Sequence, residues 1–395
     1  MPKSGKIVIA SQHYPPDPTT TAAIMAAVAT RLTQQAPVVV LSGTARSASK
    51  GAADQPTVIE IRNWMPGKAA LVRRALAGLW FTLRIFLKLV MTLRRGDVVL
   101  TVTAPFMLPY AVAAAAGVRR ARSVLILHDL YPDVLVMSGL LGSSSIVTKA
   151  IRAANTWMFR ALSAVVIIGR DTEKLLLRYR GMTADKIHFI PNWASLAPGV
   201  RPIEADNPFR TAPGFVVGLS GNLGFTHDPV VVFEAARLLR NDPGIHFLLS
   251  GWGIGFERLR QMQAEARLPN VTLVERVAEE DLERFLAAAD IWLIPYRKDV
   301  AGVSVPSRFY NLLAVGRPVV LVSEPEAEAA LIVSERKLGF VVTPGKPDEL
   351  AHAIRLAASS SDPSMAERAV AAAGEFRLDV AMAAYARLIE VLRRD

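Results

Sequence analysis

Three groups of residues carry side chains or backbone that could do chemistry together. His128 and Asp129 follow directly on the apolar run Ser123–Leu127. An imidazole and a carboxylate at the carboxyl end of a buried strand can hold or move a proton, and the bland alternative is a histidine hydrogen-bonded in a turn. Arg308 follows Val305-Pro306-Ser307 and opens a helical pattern that stops at Gly316. A cation in a first helical turn opposes the helix dipole, so a bound anion gives it purpose. Arginine and helix terminus together read as a diphosphate clamp, against the alternative of an arginine paired with a nearby acid. The third group is Gly221-Asn222-Leu223-Gly224, which follows the apolar run Phe215–Ser220 and leads through His227 to Asp228-Pro229. Asp228 is a helix N-cap with Pro229 at the first helical position. A glycine loop feeding a helix offers amides to phosphate, although glycine also serves merely to tighten such turns.

Other chemistries are excluded. Cysteine is absent, which removes disulfides, thiolate metal sites and cysteine nucleophiles. The six histidines are scattered without metal-ligand spacing, so no metal site is expected. No G-x-S-x-G elbow and no G-x-x-x-x-G-K-[ST] loop occurs. Gly251-Trp252-Gly253-Ile254-Gly255 imitates a dinucleotide fingerprint, but Phe256 stands where its third glycine belongs.

The elements that must position these residues alternate in type. Strand patterns at Lys6–Ala10, Pro37–Leu41, Thr57–Ile61, Asp97–Val102, Ser123–Leu127, Ala164–Ile168 and Lys186–Ile190 are separated by helical patterns. Ala194–Pro213 lapses into Pro, Gly and charged residues and reads as an interdomain linker. Alternation resumes with strands at Phe215–Ser220, Ile245–Ser250, Val271–Val274, Ile291–Pro295, Val319–Val322 and Phe340–Thr343, and two helices close the chain. Such alternation predicts an α/β protein of two Rossmann-like, doubly wound parallel sheets facing across a cleft. The expected domains are residues 1–195, residues 214–375, and a terminal helix over 376–395 that packs back on the first.

Charge narrows the partners. A net charge of +11 and a pI near 10.1 call for a polyanionic partner. Within Leu71–Arg95, Arg73, Arg84, Lys88 and Arg95 share one helical face, and Leu76, Leu79, Leu83, Phe86 and Val90 share the other with Trp80. The longest uncharged run there is nine residues, too short to span a bilayer, so the segment reads as a helix lying on an anionic membrane surface. A solvated surface helix is the alternative. No interleaved basic and aromatic motif supports nucleic-acid binding, and no secretory leader precedes Lys6.

Taken in order, several motifs resemble glycosyltransferase family 4, in its bacterial exopolysaccharide and O-antigen branch near the colanic acid enzymes. They are Tyr14-Pro15-Pro16, Thr103-Ala104-Pro105, His128-Asp129-Leu130-Tyr131-Pro132-Asp133, Ile190-Pro191-Asn192-Trp193, Gly221-Asn222-Leu223-Gly224, Ala287-Ala288-Ala289-Asp290-Ile291 and Val305–Pro318. The resemblance covers nearly the whole chain. It implies a GT-B fold and a retaining transferase that needs no cofactor or metal. It also implies a UDP- or GDP-linked sugar donor held by the second domain. No residue is placed as a covalent nucleophile, so front-side displacement is the expected course. Carried over by position, the donor side comprises Gly221, Asn222, Gly224, Val277, Gly302, Val303, Ser304, Ser307 and Asn311, with Arg308 in place of a common lysine. Val303 and Asn311 stand at the two glutamates of the family's E-x7-E pattern, so the amides of Gly302–Ser304 are expected to serve the sugar hydroxyls. His128, Asp129 and Arg308 are the catalytic candidates, and His13, Tyr14, Asp17 and Tyr131 line the acceptor side. The basic amphipathic helix over Leu71–Arg95 points to a lipid-linked glycan as acceptor, at the cytoplasmic face of a bacterial membrane. The rivals are an epimerase or hydrolase on the same fold, and a noncatalytic nucleotide-sugar-binding scaffold.

Overall fold

The computed structural model of the protein describes residues 5–43, 54–64, 71–204, 206–360 and 362–394. These fall into two compact units. One comprises the described residues of 1–132, 144–190 and 379–395, and the other those of 133–143 and 191–378.

The first unit is a seven-stranded parallel sheet of β1 (Ile7–Ser11), β2 (Val38–Ser42), β3 (Thr57–Glu60), β4 (Val98–Val102), β5 (Arg122–Leu127), β6 (Ala164–Ile167) and β7 (Ile187–Phe189). The strand order is β3-β2-β1-β4-β5-β6-β7. Between the strands run α1 (Thr20–Leu32), α2 (Leu71–Thr92), α3 (Leu108–Arg119), α4 (Asp133–Met137), α5 (Ile146–Ala161) and α6 (Thr172–Leu176). Every residue of β1 and β4 is buried, as continuous apolar strands covered on both faces must be. One core cluster joins Val8, Val99, Phe81, Ile85 and Leu89, and another joins Leu125, Val165, Met158 and Phe159.

The second unit is a six-stranded parallel sheet of β8 (Phe215–Asn222), β9 (Ile245–Trp252), β10 (Val271–Val274), β11 (Ile291–Pro295), β12 (Val319–Val322) and β13 (Gly339–Val342), ordered β10-β9-β8-β11-β12-β13. Its helices are α7 (Pro229–Leu238), α8 (Ile254–Ala266), α9 (Leu282–Ala287), α10 (Arg308–Ala314), α11 (Glu328–Arg336), α12 (Pro347–Ser359) and α13 (Ser364–Ala373). The last helix, α14 (Leu378–Arg394), belongs from Asp379 onward to the first unit, where the Gln35 amide donates to Ala386 O at 2.9 Å.

Three features depart from the sequence reading. Residues 133–143 group with the second unit, and Met137 packs on its core. The stretch expected as a linker is bound along the second unit instead. Gly199 N donates to Ala314 O at 2.8 Å, Ala194 N donates to Phe376 O at 3.2 Å, and Arg201 pairs with Glu283. Finally, β8 and β9 run two residues past their expected ends, pairing Gly221 with Gly251 and Asn222 with Trp252.

Candidate functional site

The longer β8 changes what the glycine segment offers. Gly221 and Asn222 are strand residues, and Leu223 N donates to Trp252 O at 2.8 Å. Gly221 has φ +105°, and a Cβ there would lie 2.8 Å from the Arg308 guanidinium carbon. Glycine is required twice over, by conformation and by the approach of arginine. Gly253 at φ +94° shows the same logic, because a Cβ there would meet Asn222 Oδ1 at 2.5 Å. Gly251 and Gly255 likewise lie against Gly221 and Leu223, so these glycines let the β9–α8 turn close on the β8 turn. Asp228 caps α7 as its sequence predicts, accepting from Val230 N at 2.9 Å and Val231 N at 3.4 Å. The helix terminus is thus served by the chain's own carboxylate. The amides left without an acceptor among the described residues are those of Gly224, Phe225 and Thr226.

Arg308 stands in the first turn of α10, a helix of seven residues, and its side chain turns back to β8. Its guanidinium donates to Ser220 O and Asn222 O and pairs with no described carboxylate. Desolvation pulls its pKa down to about 10, so it stays protonated at neutral pH. Two of its five donors suffice for those carbonyls, and the others remain for a ligand. A cation held this way beside open amides is an incomplete ion pair.

Other donor-side candidates fare differently. Asn311 does not present a free carboxamide: Oδ1 accepts from Ser195 N at 2.7 Å and Leu196 N at 3.3 Å, and Nδ2 donates to Ser195 Oγ at 3.0 Å. Val303 is buried, and its amide, expected to face sugar hydroxyls, donates to Val300 O at 2.9 Å. Gly302 turns the chain there with φ +74°. Ser304 is half-buried and Ser307 is exposed at the N-cap of α10, where its hydroxyl makes no cap bond. Val277 follows β10 and packs partly against the core.

In the first unit, His128 and Asp129 follow β5 at its carboxyl end. Burial drives the His128 pKa down to about 4, so the ring is neutral at pH 7. Its Nε2 is closed to solvent and has no hydrogen-bond partner among the described residues. Asp129 N donates to Thr103 Oγ1 at 3.3 Å, fixing the turn. Tyr131 stacks at 5.6 Å from Phe106, and its carbonyl accepts from Asn155 Nδ2 at 2.6 Å. Between β1 and α1, His13 Nδ1 lies 2.6 Å from one oxygen of Asp17, whose other oxygen accepts from Thr19 N at 3.1 Å. Tyr14 beside them is buried, which raises its phenol pKa. The candidates thus gather as two sets, one at the carboxyl ends of the strands in each unit.

Sequence reading missed two members of the second-unit set. His227 is 8% exposed, and its Nε2 finds no partner among the described residues. Its pKa is lowered first by desolvation, then by the charges of Arg308 and Arg297. Glu324, just after β12, accepts from Asp299 N at 2.5 Å and so holds the 297–304 loop, with Asp299 at φ +67°. Neither follows its expected strand end directly, as His128 does.

Helix α2 presents three sectors where two were expected. Ala77, Phe81, Ile85 and Leu89 are buried in the first unit's core. Leu76, Leu79, Trp80, Leu83, Leu87 and Met91, each 46–72% exposed, form a stripe on the opposite side about 120° wide. Phe86 and Val90, expected in that stripe, instead pack partly on the core. Arg73, Arg84 and Lys88 flank the stripe, while Arg95 lies beyond the helix. By length and composition, Ala75–Thr92 could cross a membrane, but 33% of that stretch is buried within the protein.

The chain is similar to known proteins in sequence and in fold. The profile of the family described as Glycosyltransferase Family 4 matches residues 22–197, and that of Glycosyl transferases group 1 matches residues 214–359. The chain is 28% identical to WbjE of Pseudomonas aeruginosa, described as a probable glycosyltransferase, over 73% of this chain and 72% of that protein. It is 27% identical to WcaI of Escherichia coli K12, named for colanic acid biosynthesis as a glycosyl transferase, over 53% of each. Among solved structures, HepE of Anabaena in complex with UDP superposes with a TM-score of 0.66 at 17% identity, covering 98% of this chain and 100% of that one.

Proposed function

Since the chain belongs to the family 4 and group 1 glycosyltransferases and has their GT-B fold, we propose the following reaction. The enzyme moves a sugar from a UDP- or GDP-linked donor to a hydroxyl of a lipid-linked glycan, in the making of a bacterial surface polysaccharide. The observation that carries this reading is Arg308, a protonated, desolvated guanidinium without a described carboxylate partner, beside the open amides of Gly224, Phe225 and Thr226. As the bond to the anomeric carbon breaks, charge grows on the leaving diphosphate. Donors already fixed in place lower that barrier without reorganising. The charge is met by protein donors, and we assign no metal to the step. His128 and Asp129, on rigid strand-end backbone, orient the reacting sugar or accept the acceptor's proton. None of these groups is set as a covalent nucleophile. The acceptor therefore attacks on the face the diphosphate leaves, and anomeric configuration is retained.

WcaI's name supports polysaccharide synthesis, and the UDP complex of HepE supports a uridine donor. The exposed stripe of α2 with Arg73, Arg84 and Lys88 supports an acceptor at an anionic membrane surface, on the cytoplasmic side where nucleotide sugars are made.

Thermal unfolding with UDP, GDP and their sugar conjugates tests the reading. One nucleotide family should raise the midpoint of the wild type by mass action and leave Arg308→Ala unmoved. No shift with any nucleotide, or the same shift in Arg308→Ala, would overturn it.

A further inference from the structure

The first unit has a second concave surface, at the other end of its sheet from His128. A groove of about 790 Å³ lies between the edge strand β7, the end of α5 and one side of α14. Arg122, Arg160, Lys186, His188 and Arg387 line it, and Asp185 is its one acid. Asp185 is occupied, since the Thr183 hydroxyl and Lys186 both stabilise its charge. Lys186 Nζ donates to Arg160 O at 3.0 Å, but Arg122, Arg160 and Arg387 form no ion pair with any described residue.

Placement separates this groove from the reacting centre. Arg122 opens β5, whereas His128 follows its far end, and six residues of strand span roughly 20 Å. The groove's cations come from segments far apart in sequence, so the fold itself brings like charges together. Like charges gathered in one concavity repel until an anion enters. Arginine forks match phosphate oxygens in pairs, and the volume accommodates a di- or triphosphate.

We propose that this groove binds a phosphate-bearing anion, at a site distinct from the one that holds the nucleotide sugar. Such an anion joins Arg387 of α14 to Arg122 at the start of β5 and Arg160 at the end of α5, and so fastens the C-terminal helix to the first unit. The phosphate comes either from a soluble compound or from a phospholipid headgroup.

Titration calorimetry of the full chain with sodium tripolyphosphate tests this, in an Arg308→Ala background that removes the second unit's guanidinium. Adding Arg160→Gln or Arg387→Gln should weaken binding about tenfold each, as loss of a charge-assisted contact does. Both side chains are exposed, so the fold survives, and circular dichroism checks that it does. Lysine at both positions should restore most of the affinity. Binding unchanged by the paired glutamine substitutions, or no binding at all in the Arg308→Ala background, would overturn the proposal. Flotation with phosphatidylglycerol vesicles then names the source. A loss in Arg160→Gln/Arg387→Gln identifies a lipid headgroup, and unchanged flotation identifies a soluble phosphate compound.

Discussion

At the scale of single residues, the site is built from groups held in electrostatic debt. Arg308 is desolvated without a counter-charge, and His128 and His227 are buried neutral with an unpartnered Nε2 each. Such groups cost stability, and a ligand that completes them recovers it. The histidines also make a pH dependence. Both have folded-state pKa values below the ordinary 6.5, His128 at about 4, so the unfolded chain binds more protons as pH falls through that window. Stability is therefore full above pH 6.5, declines toward pH 4 and levels off for His128 below that. The His128 share is on the order of 3 kcal/mol. Denaturant melts between pH 7 and pH 4 should show this slope in the wild type, and a shallower one in His128→Gln. An unchanged slope in that variant means the ring is not buried neutral. The sequence announced His128 by its place after an apolar strand, and Arg308 by its place in a first turn. It could not announce His227, because only the closing of β8 against Arg308 and Tyr296 turns an ordinary turn histidine into a buried one.

Elements were legible where local chemistry decides them, and obscure where tertiary contacts do. Parallel strands show as continuous apolar runs, and Asp228-Pro229 shows as a helix start, because burial and capping are written in adjacent residues. The strap over 194–213 was not legible, since its Pro, Gly and charged composition matches a free linker. What pins it lies far away in sequence: Asn311 holds Ser195, Ala314 holds Gly199 and Glu283 pairs with Arg201. The Asn311 carboxamide stands where the family resemblance put a donor-side glutamate, and its hydrogen bonds to Ser195 and Leu196 leave the fold as its evident employer. Helix α2 was half legible: a period of 3.6 reveals an apolar face but not which of two apolar faces the sheet covers. Its exposed face makes a prediction of its own. Leu83→Glu/Leu87→Glu should cut flotation with anionic vesicles at least tenfold, since each leucine forfeits about 1.5–3 kcal/mol of burial in lipid. Both positions face solvent at 46% and 50%, so the thermal midpoint should hold. Ile85→Ala, on the covered face, should do the reverse, costing about 2–5 kcal/mol of stability while vesicle binding of the folded protein persists. Flotation indifferent to the glutamates would remove the membrane from the function.

At the scale of the molecule, each unit buries its own apolar clusters, those of Phe81 and Leu125 in the first and those of Trp292 and Phe247 in the second. Separate cores predict separable cooperative unfolding, even though the chain passes between units at residues 132–133, 143–144, 190–191 and 378–379. The proposed nucleotide site, from Gly224 to Arg308, lies wholly in the second unit. A nucleotide that binds only the folded second unit stabilises that unit by RT ln(1 + [L]/Kd), about 2.7 kcal/mol at a hundred times Kd. Scanning calorimetry should therefore resolve two component transitions, with UDP or GDP raising one by several degrees and leaving the other in place. Tripolyphosphate, acting in the groove beside α14, should move the other. The two ligands then label the two units independently, and Arg308→Ala should abolish the first shift while sparing the second. If one nucleotide raises both components equally, the units unfold as a single cooperative body. Donor binding is then coupled to the first unit and to His128 through the fold itself.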